Sequence, residues 1–289
     1  NNLIKAGKIS AQVLEFGKTL IKPGTSLLEV IEKVENKILE LGAKPAFPPQ
    51  ISCDHIAAHF CPLEDDQIIF ENQLASLDVG VHIDGAIGDN AVTVDLSGQN
   101  TELVNASRKA LESAIEIIQI GTQIKEIGKV IQEVISSYGF SPIRNLSGHS
   151  LGIYEVHKKP SMPNYDNGDT TIIENGMIFA IEPFATTGAG IVQDSGNATV
   201  FQFQKKVPIR NPITRKVLAE IETFENLPFT TRWLTKKLGP QALMGLRDLT
   251  RLSSIKEHPP LVEVQKGLVS QSEHSILIDN DEVIVLTKL

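Results

Sequence analysis

Residues 76–96 read SLDVGVHIDGAIGDNAVTVDL and carry four aspartates, Asp78, Asp84, Asp89 and Asp95, in a run that otherwise alternates like a half-buried β-hairpin. Asp84-Gly85 is the pair that a two-residue type I′ turn demands, so the numbers of facing residues should sum to 169. In that register Asp78 faces Ala91 and Asp89 faces Gly80. The two carboxylates then share a face as diagonal neighbours, ~7 Å apart between backbones, with Gly80 leaving open space beside them. Asp84 serves the turn, and Asp95 lies too far along to join. Carboxylates converging in a core repel unless they are protonated or bridged by cations, because an unpaired buried charge costs several kcal/mol. The alternative for this stretch alone is a half-exposed hairpin with solvated aspartates.

An internal repeat organises the chain around this hairpin. A shift of 97 positions superimposes Gly24-Thr25 on Gly121-Thr122, Gly42 on Gly139 and Pro45 on Pro142. Under the same shift Leu27, Val30, Val34 and Ile38 fall on Ile124, Ile127, Ile131 and Ile135, the three-to-four spacing of one helix face. Each copy therefore reads as two helices, the second ended by Gly, followed by strands: QLASLDVGV in the first half and GMIFAIEPF in the second. Two αα-β halves about a pseudo-twofold would form one sheet backed by helices, with a cleft where they meet.

Residues 201–262 break the repeat with three short helical stretches, around ITRKVLAEIETF, TTRWLTKKLG and QALMGLRDLTRL, joined by Pro and Gly. The expected organisation is a main unit of residues 1–200 and 263–289 interrupted by a small helical, winged-helix-like subdomain at 201–262. The strands LVEVQKGLVSQSEHSILI and EVIVLTKL would complete the sheet. A chain of 289 residues, 41% hydrophobic and 21% charged, suits one large core plus such a unit. No apolar run approaches bilayer length, and the amphipathic N-terminal stretch is unlike a signal peptide, so the expected location is the cytoplasm, away from membranes. Cys53 and Cys61 lack a CxxC partner and are expected to be free thiols without a role. The net charge of −8 argues against a nucleic-acid binder in general, specific DNA binding included. Yet residues 205–260 hold eleven Lys/Arg against five Asp/Glu, a net of +6 that leaves −14 for the remainder. That stretch is either a partner surface or a solvated lysine-rich face.

The second half supplies chemistry to match the aspartates. NLSGHSLGIYEVHKKPSMPN carries His149 and His157, FAIEPF carries Glu182 and SQSEHSI carries Glu273, each among β-forming apolar residues. Singly they would mean little. With Asp78 and Asp89 they make four carboxylates and an imidazole, a set that suits a pair of divalent ions such as Mn, Fe, Co or Zn. Two such ions would balance four negative charges and make their burial affordable.

The chain resembles the methionine aminopeptidases of the pita-bread fold. The matching features, in order, are Asp78-x10-Asp89 in a hairpin, SGHSLG with His149, IEPF with Glu182 and QSEH with Glu273. AAHFCP around His59, VHKKPSMPN around His157 and the insertion between Glu182 and Glu273 resemble the type II enzymes. The resemblance covers essentially the whole chain and points to the archaeal form, opening at the catalytic unit without a charged extension. It implies an α+β pita-bread fold and two metals held by Asp78, Asp89, His149, Glu182 and Glu273, with Asp89 and Glu273 bridging. It implies that His59, His157 and Glu182 are catalytic and that His59 and His157 also meet substrate. The implied reaction is removal of the N-terminal methionine of nascent polypeptides when the second residue is small. A water bridging two cations becomes a hydroxide near neutral pH and can attack the first peptide carbonyl. Glu182 would pass its proton to the leaving amine, His157 would stabilise the oxyanion, and His59 would contact the substrate amine or scissile amide. Phe47 and Val156 are expected in the methionine pocket. Leu268 stands where some relatives carry tyrosine, so that wall is expected to differ. His55, His82, His258 and His274 are expected to be structural.

Aminopeptidase P and prolidase share the fold and ligand set. They are disfavoured by Lys158-Lys159 after the second histidine, where those families usually carry Glu, and by the expected lack of a preceding domain. The fold also occurs as a proliferation-associated RNA- and protein-binding module that has lost its ligands, whereas all five are present here. The basic insertion would favour ribosome association, through RNA where nascent N-termini emerge.

Overall fold

The computed structural model describes residues 2–280 and 282–289. Helix α1 (Asn2–Leu20) lies across the hairpin of strands Leu74–Ile83 and Ala86–Asp95, and α2 (Leu27–Glu40) packs beside it. Gly88 permits the close approach of α1: a Cβ there would sit 2.6 Å from the Gly7 Cα. In the second half α3 (Thr101–Ile117) and α4 (Ile124–Ser137) back a five-stranded sheet in which Ile178–Ile181 runs between Ser147–Gly152 and His274–Asp279.

The repeat is visible in hydrogen bonds as well as in shape. Thr25 Oγ1 donates to Leu20 O at 3.1 Å, and its counterpart Thr122 Oγ1 donates to Ile117 O at 3.2 Å. Ser26 bridges Ile69 just as Gln123 bridges Ile172. Gly24 and Gly121 adopt φ of 86° and 91°, a region that only Gly enters without strain. The apolar helix stripes are buried in two separate cores. Val30, Val34 and Ile38 meet Leu77 and Val79, whereas Ile127, Ile131 and Ile135 meet Phe179 and Ile276. Each such side chain contributes about 1.5–3 kcal/mol by leaving water. The expected single sheet is instead two principal sheets, joined by an isolated bridge between Ala91 and Glu273.

Within 201–262, α5 (Pro212–Ile221), α6 (Thr231–Leu238) and α7 (Ala242–Arg251) share a third core with Phe201, Phe229 and Ile255. Strand Val200–Phe203 pairs with Ile255–His258 and with Phe229–Thr230. At the end of this stretch, strand Leu261–Glu263 pairs with Ile56–Ala58, back in the first half. Arg232, on α6, is fully buried and forms a two-pronged ion pair with Glu35 of α2, while Trp233 Nε1 donates to the same carboxylate at 2.8 Å. Among the described residues no helix is long and apolar enough to cross a membrane.

Candidate functional site

The hairpin adopts the expected register, with Asp78 opposite Ala91 and Asp89 opposite Gly80. Strand His274–Asp279 is anchored to it by Ser275, whose Oγ accepts from Asp89 N at 2.8 Å and donates to Asp89 O at 2.7 Å. Glu273 N donates to Ala91 O at 3.0 Å, which draws the third carboxylate to the hairpin. Thr93 Oγ1 accepts from Gln271 N and donates to Gln271 O, so the Gln271 side chain reaches the same spot. Its Nε2 donates to Glu182 Oε2 at 3.3 Å and lies 3.5 Å from Asp78 Oδ2. His149 Nε2 lies 3.7 Å from Glu182 Oε1 and 3.8 Å from Asp89 Oδ2. One donor atom each from Asp89, His149 and Glu273 fall within 4.8 Å of one another.

All five residues proposed from the sequence as ligands therefore converge where the two halves meet. Their electrostatics are unfavourable as a bare cluster. Burial pushes the Asp78 carboxyl up to about 7. Burial, then the Asp78 charge, raises Asp89 well above its ordinary value. Glu182 and Glu273 are raised in the same way, by burial first and by neighbouring carboxylates second. Burial lowers His149 to about 4, so its imidazole is neutral and able to ligate. Asp78 Oδ1, Asp89 Oδ1, both Glu273 oxygens and His149 Nδ1 are buried without hydrogen-bond partners. Orphaned buried acceptors on this scale are rare in folded proteins and call for an explanation such as an ion. Four carboxylates and an imidazole fit first-row divalent cations.

The cluster lies at the floor of a cavity of about 810 Å³ whose walls include His59, His157, Phe47 and Val156. His157 sits edge-on to His149, ring centroids 4.6 Å apart. Surrounding protein, reinforced by its histidine neighbours, lowers its pKa, and the residue's exposure to the cavity's solvent tempers that shift. His59 has φ of 66°, a strained left-handed conformation for a residue with a side chain. Its N–H donates at 2.9 Å to the Oε1 of Gln50, a buried residue that sequence reasoning missed, paired across the sheet with Asp78. Burial keeps His59 neutral.

Three expectations need correction. His258 is not merely structural: it lines the cavity, 5.5 Å from His59 between ring centroids, with Nε2 unpartnered. Leu268 does not line the cavity but packs on the α3–α4 core. The space beside Gly80 is not open, because the Phe47 ring fills it, and a Cβ there would lie 2.1 Å from Phe47 Cε1. The other histidines hold local structure. His82 Nδ1 accepts from Gly85 N, His274 Nδ1 bonds the Thr287 hydroxyl, and the His55 carbonyl accepts from Glu263 N. Cys53 and Cys61 are free, with thiols pushed up to about 12 and about 11 by burial, which leaves them unreactive.

A fold of two pseudo-symmetric halves with acidic and imidazole donors between them defines a metallopeptidase of the pita-bread class, and the chain belongs to metallopeptidase family M24, whose model matches residues 1–211. It is 46% identical over 288 residues to the methionine aminopeptidase of Archaeoglobus fulgidus, covering 99% of this chain and 97% of that one. The crystal structure of the methionine aminopeptidase of Thermotoga maritima superimposes with a TM-score of 0.73 at 26% identity, covering 100% of this chain and 96% of that one. A thermophilic Arx1 shares the fold, with a TM-score of 0.87 at 16% identity over 99% of this chain and 89% of that one.

Proposed function

We propose that this chain is a type II methionyl aminopeptidase of the archaeal kind, a hydrolase that removes the N-terminal methionine of nascent polypeptides whose second residue is small. The observation that carries this reading is the buried convergence of Asp78, Asp89, His149, Glu182 and Glu273, with orphaned ligand atoms, at the floor of a partly apolar cavity. The similarity to archaeal methionine aminopeptidases over nearly the whole chain supports it. These five side chains would hold two divalent ions of Co, Mn, Fe or Zn, and Asp89 and Glu273 would serve both. When bound, such a pair supplies an acidified water and polarises the carbonyl to be attacked.

The chain's own residues do the rest. Glu182, ionised once cations offset the neighbouring carboxylates, is suited to take a proton and return it to the leaving amine. His157, neutral at the cavity wall, donates to the carbonyl oxygen as negative charge develops there. His59, held by Gln50, meets the substrate amine or scissile amide. Phe47 and Val156 belong to one apolar cluster with Ala46, Leu151 and Leu227, and that cluster receives the methionine side chain. Residues 1–200 with 263–289 form the catalytic unit and 201–262 an inserted subdomain, which brings the enzyme to the ribosome in the cytoplasm. The test is hydrolysis of a Met-Ala-Ser peptide by purified protein stripped of metal and then given Mn, Fe, Co or Zn in turn. Release of methionine with at least one ion is expected. No turnover with any ion would replace this reading with a non-catalytic binding module, and preferential cleavage of Xaa-Pro peptides would replace it with an aminopeptidase P activity.

A further inference from the structure

The strand pair that opens and closes the insertion forms one wall of the cavity. Val200 lies opposite His258 and Gln202 opposite Lys256 in an antiparallel ladder. Side chains alternate along a strand, so Val200, Gln202, Lys256 and His258 share one face while Phe201 and Ile255 share the other. Phe201 and Ile255 are buried against the insertion's helices. The first set, with Gln204 and Asn226, lines the cavity. Gln202 Nε2 donates to Asn226 O at 2.8 Å and ties this polar wall together. The insertion thus turns Phe201 and Ile255 to its own core and Gln202, Lys256 and His258 to the pocket, which Val200 and Phe203 also line.

Lys256 is the one cationic residue among the cavity-lining residues described. The four carboxylates of the floor and Glu155 on the opposite hairpin are the anions. Among the described residues no carboxylate lies within ion-pair distance of its ammonium, unlike Lys206, Arg232, Lys236, Lys237 and Arg251 of the same insertion. Lys256 is an exposed residue of the cavity wall, within electrostatic reach of His59, His157 and His258. A peptide whose first residue occupies the floor must leave along a wall, and this wall offers one cation and several amides.

We propose that Lys256 is a specificity-determining residue that favours substrates with an aspartate or glutamate at the third position and disfavours those with lysine or arginine there. The inference rests on the peptidase reading above. An extended chain advances about 3.3–3.6 Å per residue, so the third side chain emerges beyond the floor, at the level of the cavity wall. The attraction is that of a partly solvated pair, modest in size and weakened by salt.

The test compares kcat/KM for Met-Ala-Glu-Gly, Met-Ala-Gln-Gly and Met-Ala-Lys-Gly peptides, all with amidated C-termini so that Lys256 meets no terminal carboxylate. The wild-type chain should prefer Glu over Lys by about 3- to 10-fold at low salt, narrowing to within about 2-fold at high salt. Lys256→Gln should abolish the preference and Lys256→Glu should invert it, with the Gln peptide changing least. An unchanged Glu/Lys ratio in Lys256→Glu, with all peptides still cleaved, would overturn this inference alone. Failure of the wild-type chain to cleave any of the three would overturn the peptidase reading and this inference with it.

Discussion

Asp89 offers one oxygen towards His149 and leaves the other without a partner, whereas His157 stands beside the cluster at the cavity wall. The same kind of substitution should therefore have different consequences at the two positions. Asp89→Ala removes the carboxylate proposed to serve both ions, so metal analysis should find both lost and activity nearly abolished. His149→Ala should weaken mainly one ion. His157→Ala should leave the metal content intact and lower kcat by about 10²-fold or more, the scale of losing one donor to a developing oxyanion. Two tightly bound ions in the Asp89 variant would refute the shared-carboxylate geometry, and metal loss from the His157 variant would make that residue a ligand. His59 adds a second kind of residue-level design. Its left-handed backbone costs on the order of 1–3 kcal/mol, which the hydrogen bond to Gln50 and the surrounding sheet must offset.

The carboxylates arrive on separate elements, two from the hairpin and one each from the strand endings at Glu182 and Glu273, and packing those elements together forces the charges into one volume. Raised folded-state pKa values have a definite linkage sign: the metal-free protein loses stability as pH rises through them, because the folded state binds more protons than the unfolded one. The histidines lowered by burial act oppositely, but their contribution is complete once pH exceeds the ordinary histidine value of 6.5. Between about pH 6.5 and 8 the carboxylates should therefore dominate. Asp78 titrates near 7 and Asp89, Glu182 and Glu273 are raised well above their ordinary values. Calorimetry of chelator-treated protein should show Tm falling across that window, and added divalent metal should restore it. A rising Tm would mean that these groups are not buried together. The hairpin register and the helix stripes were legible from sequence because both are local: a turn pair sets one, a 3.6-residue period the other. Gln50 and His258 were not legible, because each is brought to the cavity by strand pairing between distant segments. The break between the two sheets was likewise hidden, since alternation marks a strand's faces but not where its sheet ends.

At the scale of the molecule, the three main cores are joined by smaller apolar clusters and by polar contacts, and the insertion is fastened to α2 by the Arg232–Glu35 pair and by Lys236 with Glu32. This changes how the insertion's positive charge should be read. Lys206 pairs with Glu222, Lys237 with Glu220 and Arg251 with Asp248, so these cations are already engaged. Among the described residues Lys205, Arg210, Arg215, Lys216 and Arg247 are exposed and form no ion pair. If the insertion brings the enzyme to ribosomal RNA, these five carry the interaction, since phosphate contacts displace condensed counterions only where cations are free to make them. Reversing Lys205, Arg210, Arg215 and Lys216 to glutamate should reduce co-sedimentation with ribosomes, flatten its dependence on salt and leave cleavage of short peptides nearly unchanged. Reversing Lys236 and Lys237 should instead lower Tm, because each change sets two carboxylates against each other where an ion pair had been. Co-sedimentation equal to wild type in the first variant would leave the basic surface as a solvated face and remove the insertion from ribosome binding.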